Sequence, residues 1–278
     1  MKNELIFFTV DVEDWFQVEN LKPAIKKEDW AGMPLRVEAN TRKLLDILDL
    51  YRIKATFFVV GLIIEKAPGL IREIHRRGHE VASHGIAHEL VYRQEAGQFR
   101  EDIRSSKRRL EDCVGEAVIG YRAPVFSIAD WAIDILIEEG FRYDSSFFPV
   151  TYHDRYGKIT NKNNQRVWEL KKGFYEVSLS TLDFFKISLP WTGGYLRGIP
   201  YPVFKWGIRR VLSRRGSYVF YFHPWEIDYL QPRIKNIRWD YRIRQYIGLK
   251  CAENKIRRLL GDFRFTSIKE GLIKKGLL

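Results

Sequence analysis

Cysteine is scarce in this sequence, with Cys113 and Cys251 the only two among 278 residues. They lie far apart, so we predict neither a thiolate metal site nor the disulfide framework of a small secreted domain. Long apolar runs are also missing, since no stretch approaches the ~20 residues that span a bilayer. The opening "MKNELIFFTVDVED" turns acidic too early for a signal peptide. We therefore expect a cytoplasmic protein.

Acidic residues are outnumbered by basic ones, 35 against 47, which gives a formal net charge of +12. Such a surplus favours an anionic partner, such as nucleic acid, a membrane surface or a diphosphate-bearing substrate. The sequence contains no nucleic-acid-binding motif, so we predict no nucleic-acid partner. Solvated helix faces explain most of the charge, and peripheral membrane association is kept as a hypothesis.

Amphipathic helical segments followed by a glycine and an apolar strand recur along the chain. Gly78, Gly140 and Gly216 each stand at such a helix-to-strand junction. The predicted strands are 5–10, 55–61, 79–83, 117–123, 141–148, 174–180 and 217–222. Short apolar strands alternating with helices indicate a parallel sheet covered on both faces. We predict an α/β fold with a single (β/α) barrel of about seven strands; an open doubly wound sheet is the alternative. Residues 151–170 are polar and are predicted to form an irregular surface excursion.

Chemically reactive side chains follow four different predicted strands. They are Asp11, Glu13 and Asp14 after the first strand, His84 and His88 after the third, Arg122 after the fourth, and His223 after the last. In a barrel of parallel strands these ends share one face, where active sites of such barrels are built. We therefore predict the active site at the C-terminal ends of the strands.

Each group has more than one interpretation when taken alone. His84 and His88 can bind one metal if a helical turn places them on one face, or they are ordinary surface histidines. A carboxylate from residues 11–14 would complete a site with open coordination positions, as hydrolytic zinc requires. Arg122 is either the partner of that acidic group or part of a surface ion pair. His223 is a general acid, a third ligand or a core histidine, and the other strand ends favour the general acid.

Aromatic residues near these strand ends form a candidate apolar wall, although core packing is the alternative for each. They are Trp15, Tyr121, Phe126, Trp191 and Trp225. The three other histidines, His75, His79 and His153, are assigned no chemistry.

Five segments together resemble the motif regions of NodB-homology polysaccharide deacetylases. They are "TVDVEDWF", "GHEVASHGIAHE", "GYRAPVFS", "YDSSFFP" and "YFHPWEID". The chain looks like the cytoplasmic branch related to peptidoglycan deacetylase and allantoinase, many of whose members are associated with exopolysaccharide and exosortase loci. The resemblance covers essentially the whole chain. It implies a distorted (β/α) barrel, usually seven-stranded, in a single domain 1–278, with 224–278 as a family-specific C-terminal extension.

The resemblance also implies roles by position. Asp11 matches the catalytic base, Arg122 the arginine that orients it, and His223 the general acid. His84 and His88 match the metal-binding histidines.

The metal-binding carboxylate is the ambiguous position. Residue type favours Asp14, whereas strand alternation places Glu13 on the side of Asp11. We predict Asp14, with Glu13 as the alternative ligand. The implied cofactor is a divalent metal, Zn²⁺ first, with Co²⁺, Ni²⁺ or Mn²⁺ as alternatives. The predicted substrate-binding residues are Trp15, Pro124, Val125, Phe126, Trp191 and Trp225.

The expected function is metal-dependent hydrolysis of the N-acetyl group of an amino sugar, in a glycan or glycan precursor of surface or exopolysaccharide biosynthesis. This is a hydrolase acting on C–N bonds other than peptide bonds. The expected substrate is an N-acetylated saccharide, in one version lipid-linked. Two alternatives are a cyclic-amide hydrolase like allantoinase and a non-catalytic carbohydrate-binding relative. The sequence does not predict an oligomeric state.

Overall fold

The computed structural model describes residues 4–150, 156–163, 165–185 and 187–278. Within these residues there are ten strands and ten α-helices. The strands are β1 (Leu5–Val12), β2 (Thr56–Val59), β3 (Glu80–Ser83), β4 (Gly120–Tyr121), β5 (Tyr143–Asp144), β6 (Val167–Lys171), β7 (Phe174–Val177), β8 (Thr181–Phe184), β9 (Ile187–Pro190) and β10 (Ser217–Phe222). The helices are α1 (Val37–Leu50), α2 (Gly61–Lys66), α3 (Pro68–Arg76), α4 (Ala96–Val114), α5 (Asp130–Glu138), α6 (Gly193–Gly198), α7 (Tyr201–Arg215), α8 (Trp239–Tyr246), α9 (Leu249–Asp262) and α10 (Ile268–Lys274).

Eight strands form one sheet in the order β10-β1-β2-β3-β4-β5-β7-β6. Seven of them pair in parallel, and β6 pairs antiparallel to β7 at one edge. The chain after β7 approaches the opposite edge, because the Ser180 hydroxyl accepts a hydrogen bond from the backbone N–H of Val219 at 2.8 Å. The sheet is thus nearly closed, and the predicted distorted barrel of about seven parallel strands is confirmed.

The two faces of the strands pack into separate cores. On β1, Ile6, Phe8 and Val10 lie in the larger core between the sheet and the surrounding helices. Leu5 and Phe7 lie in the smaller core inside the barrel. Since strand side chains alternate, the odd-numbered residues of β1 point into the barrel. The last polar one, Asp11, therefore lies inside the rim at the carboxyl ends of the strands, which we call the upper rim.

The predicted irregular excursion at 151–170 is wrong for its last residues. Strand β6 begins at Val167, and Trp168 and Leu170 are buried while their neighbours Glu169 and Lys171 are exposed. This alternation is that of an edge strand with one covered face. Residues 151–155, with His153, and residue 164 lie outside the described residues. The hairpin of β8 and β9 was not predicted.

The C-terminal segment packs against the other end of the barrel. Phe7 of β1 forms a parallel bridge with Thr266, and a Cβ at Gly271 of α10 would lie 2.3 Å from the Phe7 ring. Helix α10 therefore contacts the sheet at its lower end. The separation of 224–278 as an extension stays a prediction. No helix in the described part of the chain combines the length and hydropathy needed to cross a membrane.

Candidate active site and metal centre

Glu13, His84 and His88 form a buried cluster at the carboxyl ends of β1 and β3. Glu13 Oε1 lies 3.0 Å from His84 Nε2 and 2.9 Å from His88 Nε2, and the three ligand atoms lie within 4.8 Å of one another. Burial alone would raise the pKa of Glu13, but the charge and hydrogen bonds of His88 and His84 hold it well below its usual value. The carboxylate is thus ionised and shared between two imidazoles.

The donor set of this cluster fits a divalent metal. His84 Nδ1 lies 2.7 Å from the carbonyl oxygen of Arg122, which can only accept, so Nδ1 donates to it and Nε2 is the nitrogen that faces the cluster, where its lone pair would be available to a metal. Two imidazoles and one carboxylate are the ligands of hydrolytic zinc sites with open positions. Glu13, His84 and His88 would hold such an ion.

The segment joining the two histidines is a bent loop rather than the helical turn we expected. Gly85 has a φ of +72°, and His88 has a φ of +52°. Asp102 of α4 fixes the loop, because its carboxylate accepts the backbone N–H groups of Ile86 at 2.9 Å and Ala87 at 2.7 Å. The loop conformation, and not helical periodicity, brings both imidazoles to Glu13.

The prediction of Asp14 as the metal carboxylate is not supported by the geometry. Its oxygens accept backbone N–H groups from Trp15 at 2.8 Å, Arg36 at 2.8 Å and Val37 at 3.0 Å. Asp14 therefore holds the start of α1, where an anion is favoured by the helix dipole. Glu13, the alternative, occupies the position beside the histidines.

Asp11 and Arg122 form a buried ion pair inside the upper rim of the barrel. Arg122 Nη1 donates to Asp11 Oδ1 at 2.6 Å and to Thr9 Oγ1 at 2.9 Å. Its other nitrogens donate to the carbonyl oxygen and hydroxyl of Ser145, both at 2.9 Å. The guanidinium also lies 4.1 Å above the Phe58 ring. These contacts orient the carboxylate of Asp11, since four hydrogen bonds hold the guanidinium in place.

His223 lies directly after β10 and is held by a second buried ion pair. Its Nδ1 lies 2.9 Å from Glu226 Oε1, while Glu226 Oε2 accepts from Arg197 Nε at 2.7 Å. Burial lowers the pKa of His223, but the hydrogen bond to Glu226 and the charges of Glu13 and Asp11 outweigh it and raise the pKa to about 9. His223 is thus an imidazolium at neutral pH whose Nε2–H is not used by Glu226.

One cleft of about 560 Å³ connects these groups. Asp11, Glu13, His88 and His223 all line it. The structure therefore brings together the strand-end residues that the sequence placed on one face. Aromatic side chains form much of the remaining wall; they are Phe126, Tyr156, Tyr195, Tyr221 and Trp225.

The predicted substrate-binding residues divide into two groups. Val125, Phe126 and Trp225 line the cleft, and Val125 has a φ of +53°, unusual for a β-branched residue and therefore a feature of functional interest. Trp15 instead packs in a separate core beside Phe16. Trp191 is also a core residue, as its indole donates to the Phe204 carbonyl oxygen and packs against α7.

Pro124, a predicted substrate-binding residue, and Tyr121, a predicted wall residue, are structural. Pro124 is buried, and its carbonyl oxygen accepts the Ser127 hydroxyl at 2.7 Å. Tyr121 is buried in the core between the sheet and the helices, where it contacts Phe99. Tyr121, Trp15 and Trp191 thus pack in the core, which was the alternative interpretation for each of these aromatic residues.

Several residues of the site were missed from the sequence. Glu226 stood in the motif "HPWE", and its spacing of three residues from His223 was the available signal. No local pattern pointed to Arg197 or Asp102. Arg197 lies 29 residues from its partner Glu226, and Asp102 binds a separate loop. Only the folded arrangement reveals them.

The fold and the site define a class: a (β/α) barrel with a two-histidine, one-carboxylate cluster at the carboxyl ends of its strands. Residues 30–143 match the family model described as polysaccharide deacetylase. Residues 145–272 match a domain of unknown function, DUF3473.

Curated relatives and solved structures agree with this class. A peptidoglycan deacetylase from Helicobacter pylori is 30% identical over 122 residues, covering 44% of this chain and 42% of that protein. A chitooligosaccharide deacetylase from Bradyrhizobium sp. is 31% identical over 96 residues, covering 34% of this chain and 43% of that protein. The chain thus spans less than half the length of these relatives.

A crystal structure of a polysaccharide deacetylase homologue from Mycobacterium smegmatis superimposes with a TM-score of 0.64 at 20% identity, covering 97% of this chain and 88% of that one. At this identity the likeness shows the fold. The family model over residues 30–143 and the relatives support a NodB-homology polysaccharide deacetylase, and the superposition supports its fold.

Proposed function

We propose that this protein is a metal-dependent hydrolase that removes the N-acetyl group from an amino sugar of a glycan or glycan precursor. The observation that carries this proposal is the cleft shared by Glu13 and His88 of the cluster, by Asp11 and by His223. It combines metal ligands, a fixed carboxylate and a protonated imidazole, which are the groups that amide hydrolysis needs.

Asp11 is the proposed general base. Arg122 binds Asp11 Oδ1 at 2.6 Å and keeps the carboxylate oriented at the cleft wall. The carboxylate removes a proton from the attacking water as the water adds to the acetyl carbon. Arg122 acts as a positioning residue, because it touches the base and lies buried behind it.

His223 is the proposed general acid. With its pKa raised to about 9, largely through Glu226, it is protonated at the pH at which the reaction runs. Nδ1 stays bound to Glu226, so the proton on Nε2 is the one transferred to the amine as the C–N bond breaks. The products are acetate and a free amino sugar.

The backbone N–H of Val125 is the proposed donor to the oxygen of the tetrahedral intermediate. Val125 lines the cleft directly after Pro124, and its positive φ re-aims this part of the backbone. A fixed donor aimed at developing negative charge supplies stabilisation that water would provide only after reorganisation.

A divalent ion held by Glu13, His84 and His88 would act as a Lewis acid on the acetyl carbonyl and activate the attacking water. Zn²⁺ is the proposed ion because imidazole and carboxylate ligands suit it. Co²⁺, Ni²⁺ and Mn²⁺ are the alternatives, and metal analysis of the purified protein followed by reconstitution after chelation distinguishes them.

The proposed substrate is an N-acetylated saccharide of surface or exopolysaccharide biosynthesis, in a lipid-linked precursor. The relatives named above as peptidoglycan and chitooligosaccharide deacetylases support the sugar class. The aromatic wall of the cleft offers faces on which sugar rings can stack. A cytoplasmic location is part of the proposal and is tested by cell fractionation.

The deciding experiment measures acetate and free amine after incubating the metal-loaded protein with chitin oligomers, peptidoglycan fragments and lipid-linked N-acetylated saccharides. Asp11→Asn is the matched inactive control. Absence of acetate from every substrate, with metal bound, contradicts the proposal. Ring opening of allantoin under the same conditions would point to a cyclic-amide hydrolase, and saccharide binding without acetate would point to a carbohydrate-binding protein.

A further inference from the structure

Five large hydrophobic side chains are exposed between residues 229 and 247, next to the cleft. They are Tyr229, Leu230, Trp239, Ile243 and Ile247. Trp239 is 76% exposed and Leu230 68% exposed. We call this segment, with its basic residues, the cleft-rim surface. Scattered exposed apolar residues are ordinary, but a group of this size on one short segment indicates an interaction site.

Three of these exposed side chains, at residues 239, 243 and 247, lie on one face of α8 or directly after its last residue. On the other side of α8, Gln245 and Tyr246 are buried. Gln245 Nε2 donates to Gln231 Oε1 at 3.0 Å, and the Tyr246 hydroxyl accepts the N–H of Ile234 at 2.9 Å. These bonds fix the rotation of α8. Residues 239, 243 and 247, spaced four apart, therefore present one outward apolar stripe.

Basic side chains are frequent in the same segment. Between residues 229 and 250 they are Arg233, Lys235, Arg238, Arg242, Arg244 and Lys250, whereas Asp240 is the one acidic residue. Asp240 is itself neutralised by Arg238 at 3.0 Å. The segment thus combines an apolar stripe with a surplus of positive charge, which is complementary to an anionic surface with an apolar interior.

The cleft-rim surface is continuous with the candidate active site. Ile243, Arg244 and Ile247 line the cleft as well as belonging to the rim. Helix α8 also packs against residues Glu19–Leu21, of which Glu19 and Asn20 line the cleft as well. Whatever binds the rim is therefore adjacent to the cleft entrance.

We propose that the cleft-rim surface binds an anionic lipid membrane, with α8 lying in the interfacial plane so that the cleft opens toward the headgroups. Trp239 and the isoleucines enter the headgroup boundary while the arginines contact lipid phosphates. For the substrate, this rests on the proposed function: the cleft would receive the saccharide of a lipid-linked precursor anchored in the same membrane.

The hairpin of β8 and β9 supplies a matched control surface. Phe185 at its tip is fully exposed, and Phe184 and Trp206 beside it are also exposed. None of the three lines the cleft in the described part of the chain. A substitution of Phe185 therefore removes an exposed aromatic ring without changing the rim.

The test measures sedimentation of the full-length, metal-loaded protein with vesicles of phosphatidylcholine, with and without phosphatidylglycerol. We expect binding only when phosphatidylglycerol is present, and weakening with salt. Trp239→Ser and Arg242→Glu should each lower vesicle affinity about tenfold, whereas Phe185→Ser should leave it unchanged. Absence of binding, equal binding by Trp239→Ser, or loss caused by Phe185→Ser would overturn the proposal. Preferential retention on an oligonucleotide at the same salt would overturn it too.

Activity on a soluble chitin oligomer separates this proposal from the proposed function. Trp239 and Arg242 lie outside the cleft lining, so both variants should deacetylate the soluble substrate like the parent protein. Vesicle binding without any deacetylation removes the proposed function and leaves the membrane surface. Deacetylation without vesicle binding removes the membrane surface and leaves the proposed function.

Discussion

Each end of the barrel holds a histidine with a shifted pKa, and the two pKa values are shifted in opposite directions. At the lower end, burial and the charge of Lys54 lower the pKa of His79 to about 4. At the upper end, Glu226 helps to raise the pKa of His223 to about 9. His79 accepts the N–H of Ala55 at 3.2 Å, so its neutral form is the one that the fold uses. Burial favours the neutral form of both histidines, and only His223 has carboxylate partners that reverse this preference.

Two glutamates, Glu80 partly buried and Glu13 buried, show the same contrast. Glu80, at the lower end, accepts from the Thr56 hydroxyl at 2.6 Å, the Tyr143 hydroxyl at 2.7 Å and the Lys269 N–H at 2.9 Å, and burial raises its pKa. Glu13, at the upper end, contacts two imidazoles, which lower its pKa. Neutral donors satisfy Glu80 as a structural group. The partners of Glu13 are imidazoles that could hold a metal together with it, so burial alone does not identify a functional carboxylate.

The largest expected effect comes from replacing Glu13 by glutamine and comparing this variant with the same replacement at Glu80. Glu13→Gln should lower metal affinity by more than about a hundredfold and abolish deacetylation, because a direct ligand matters more than its supporting partners. Glu80→Gln should retain activity per folded molecule and lose about 1–2 kcal/mol of unfolding free energy. Competition with a chromophoric chelator, acetate release and urea unfolding measure these outcomes. Equal metal affinity in both variants would contradict the assignment of Glu13.

The next effect concerns the alkaline limb of activity. The general acid must be protonated, so activity should fall as pH rises through about 9. Glu226→Gln removes the main partner that raises the pKa of His223, so the limb should move to lower pH and activity at pH ~8 should drop about tenfold or more. The pH profile of kcat/KM checks this shift. Glu253→Gln, at an ion pair with Lys43 and Arg257 outside the cleft lining, is the control and should keep the parent profile.

A smaller effect is expected on stability at acid pH. His79 has a pKa of about 4 in the fold against 6.5 as the ordinary value, so the unfolded chain binds more protons between these limits. Stability should therefore fall as pH decreases from about 6.5 to about 4, by up to about 3 kcal/mol. His79→Asn keeps an acceptor for Ala55 and cannot titrate, so its unfolding free energy should vary less over this range. Denaturant unfolding at several pH values tests this, with His75→Asn as the control that keeps the dependence.

The smallest expected effect distinguishes the role of Asp14 from that of Glu13. Asp14→Asn should weaken the bonds to the start of α1 and lower the unfolding free energy by about 1–2 kcal/mol. Metal affinity should stay within about twofold of the parent, because Asp14 does not face the histidines. Isothermal titration with metal and urea unfolding provide the two readouts. Strong loss of metal binding would restore Asp14 as a ligand.

Local patterns were sufficient for the seven parallel strands and for the strand-end residues. Apolar runs and helix-ending glycines depend on near neighbours, so the sequence locates β1, β3 and β10 within a few residues. Which of Glu13 and Asp14 faces the histidines was not predictable from neighbouring residues. It depends on the N–H groups of Arg36 and Val37, which reach Asp14 from 22 and 23 residues along the chain.

Distant packing also decided which aromatic residues reach the cleft. Trp191 packs on Gly207, where a Cβ would lie 2.3 Å from the indole, and no local pattern encodes that approach. Trp225 stacks on His223 at 5.2 Å and therefore stays at the cleft. Two residues of the same type near strand ends can thus pack in the core or line the cleft, and only their tertiary partners tell the two cases apart.

The cleft is assembled from three parts of the chain, since Asp11 and Glu13 precede residue 30. The two histidines of the cluster lie within residues 30–143, the part that matches the deacetylase model, whereas His223, Glu226 and Arg197 lie within 145–272. Under the proposed function, substitutions within 145–272 can retune leaving-group protonation and glycan choice while Glu13, His84 and His88 stay constant. A chimera that exchanges this C-terminal half between homologues would inherit its pH optimum and preferred sugar from one parent and its preferred ion from the other.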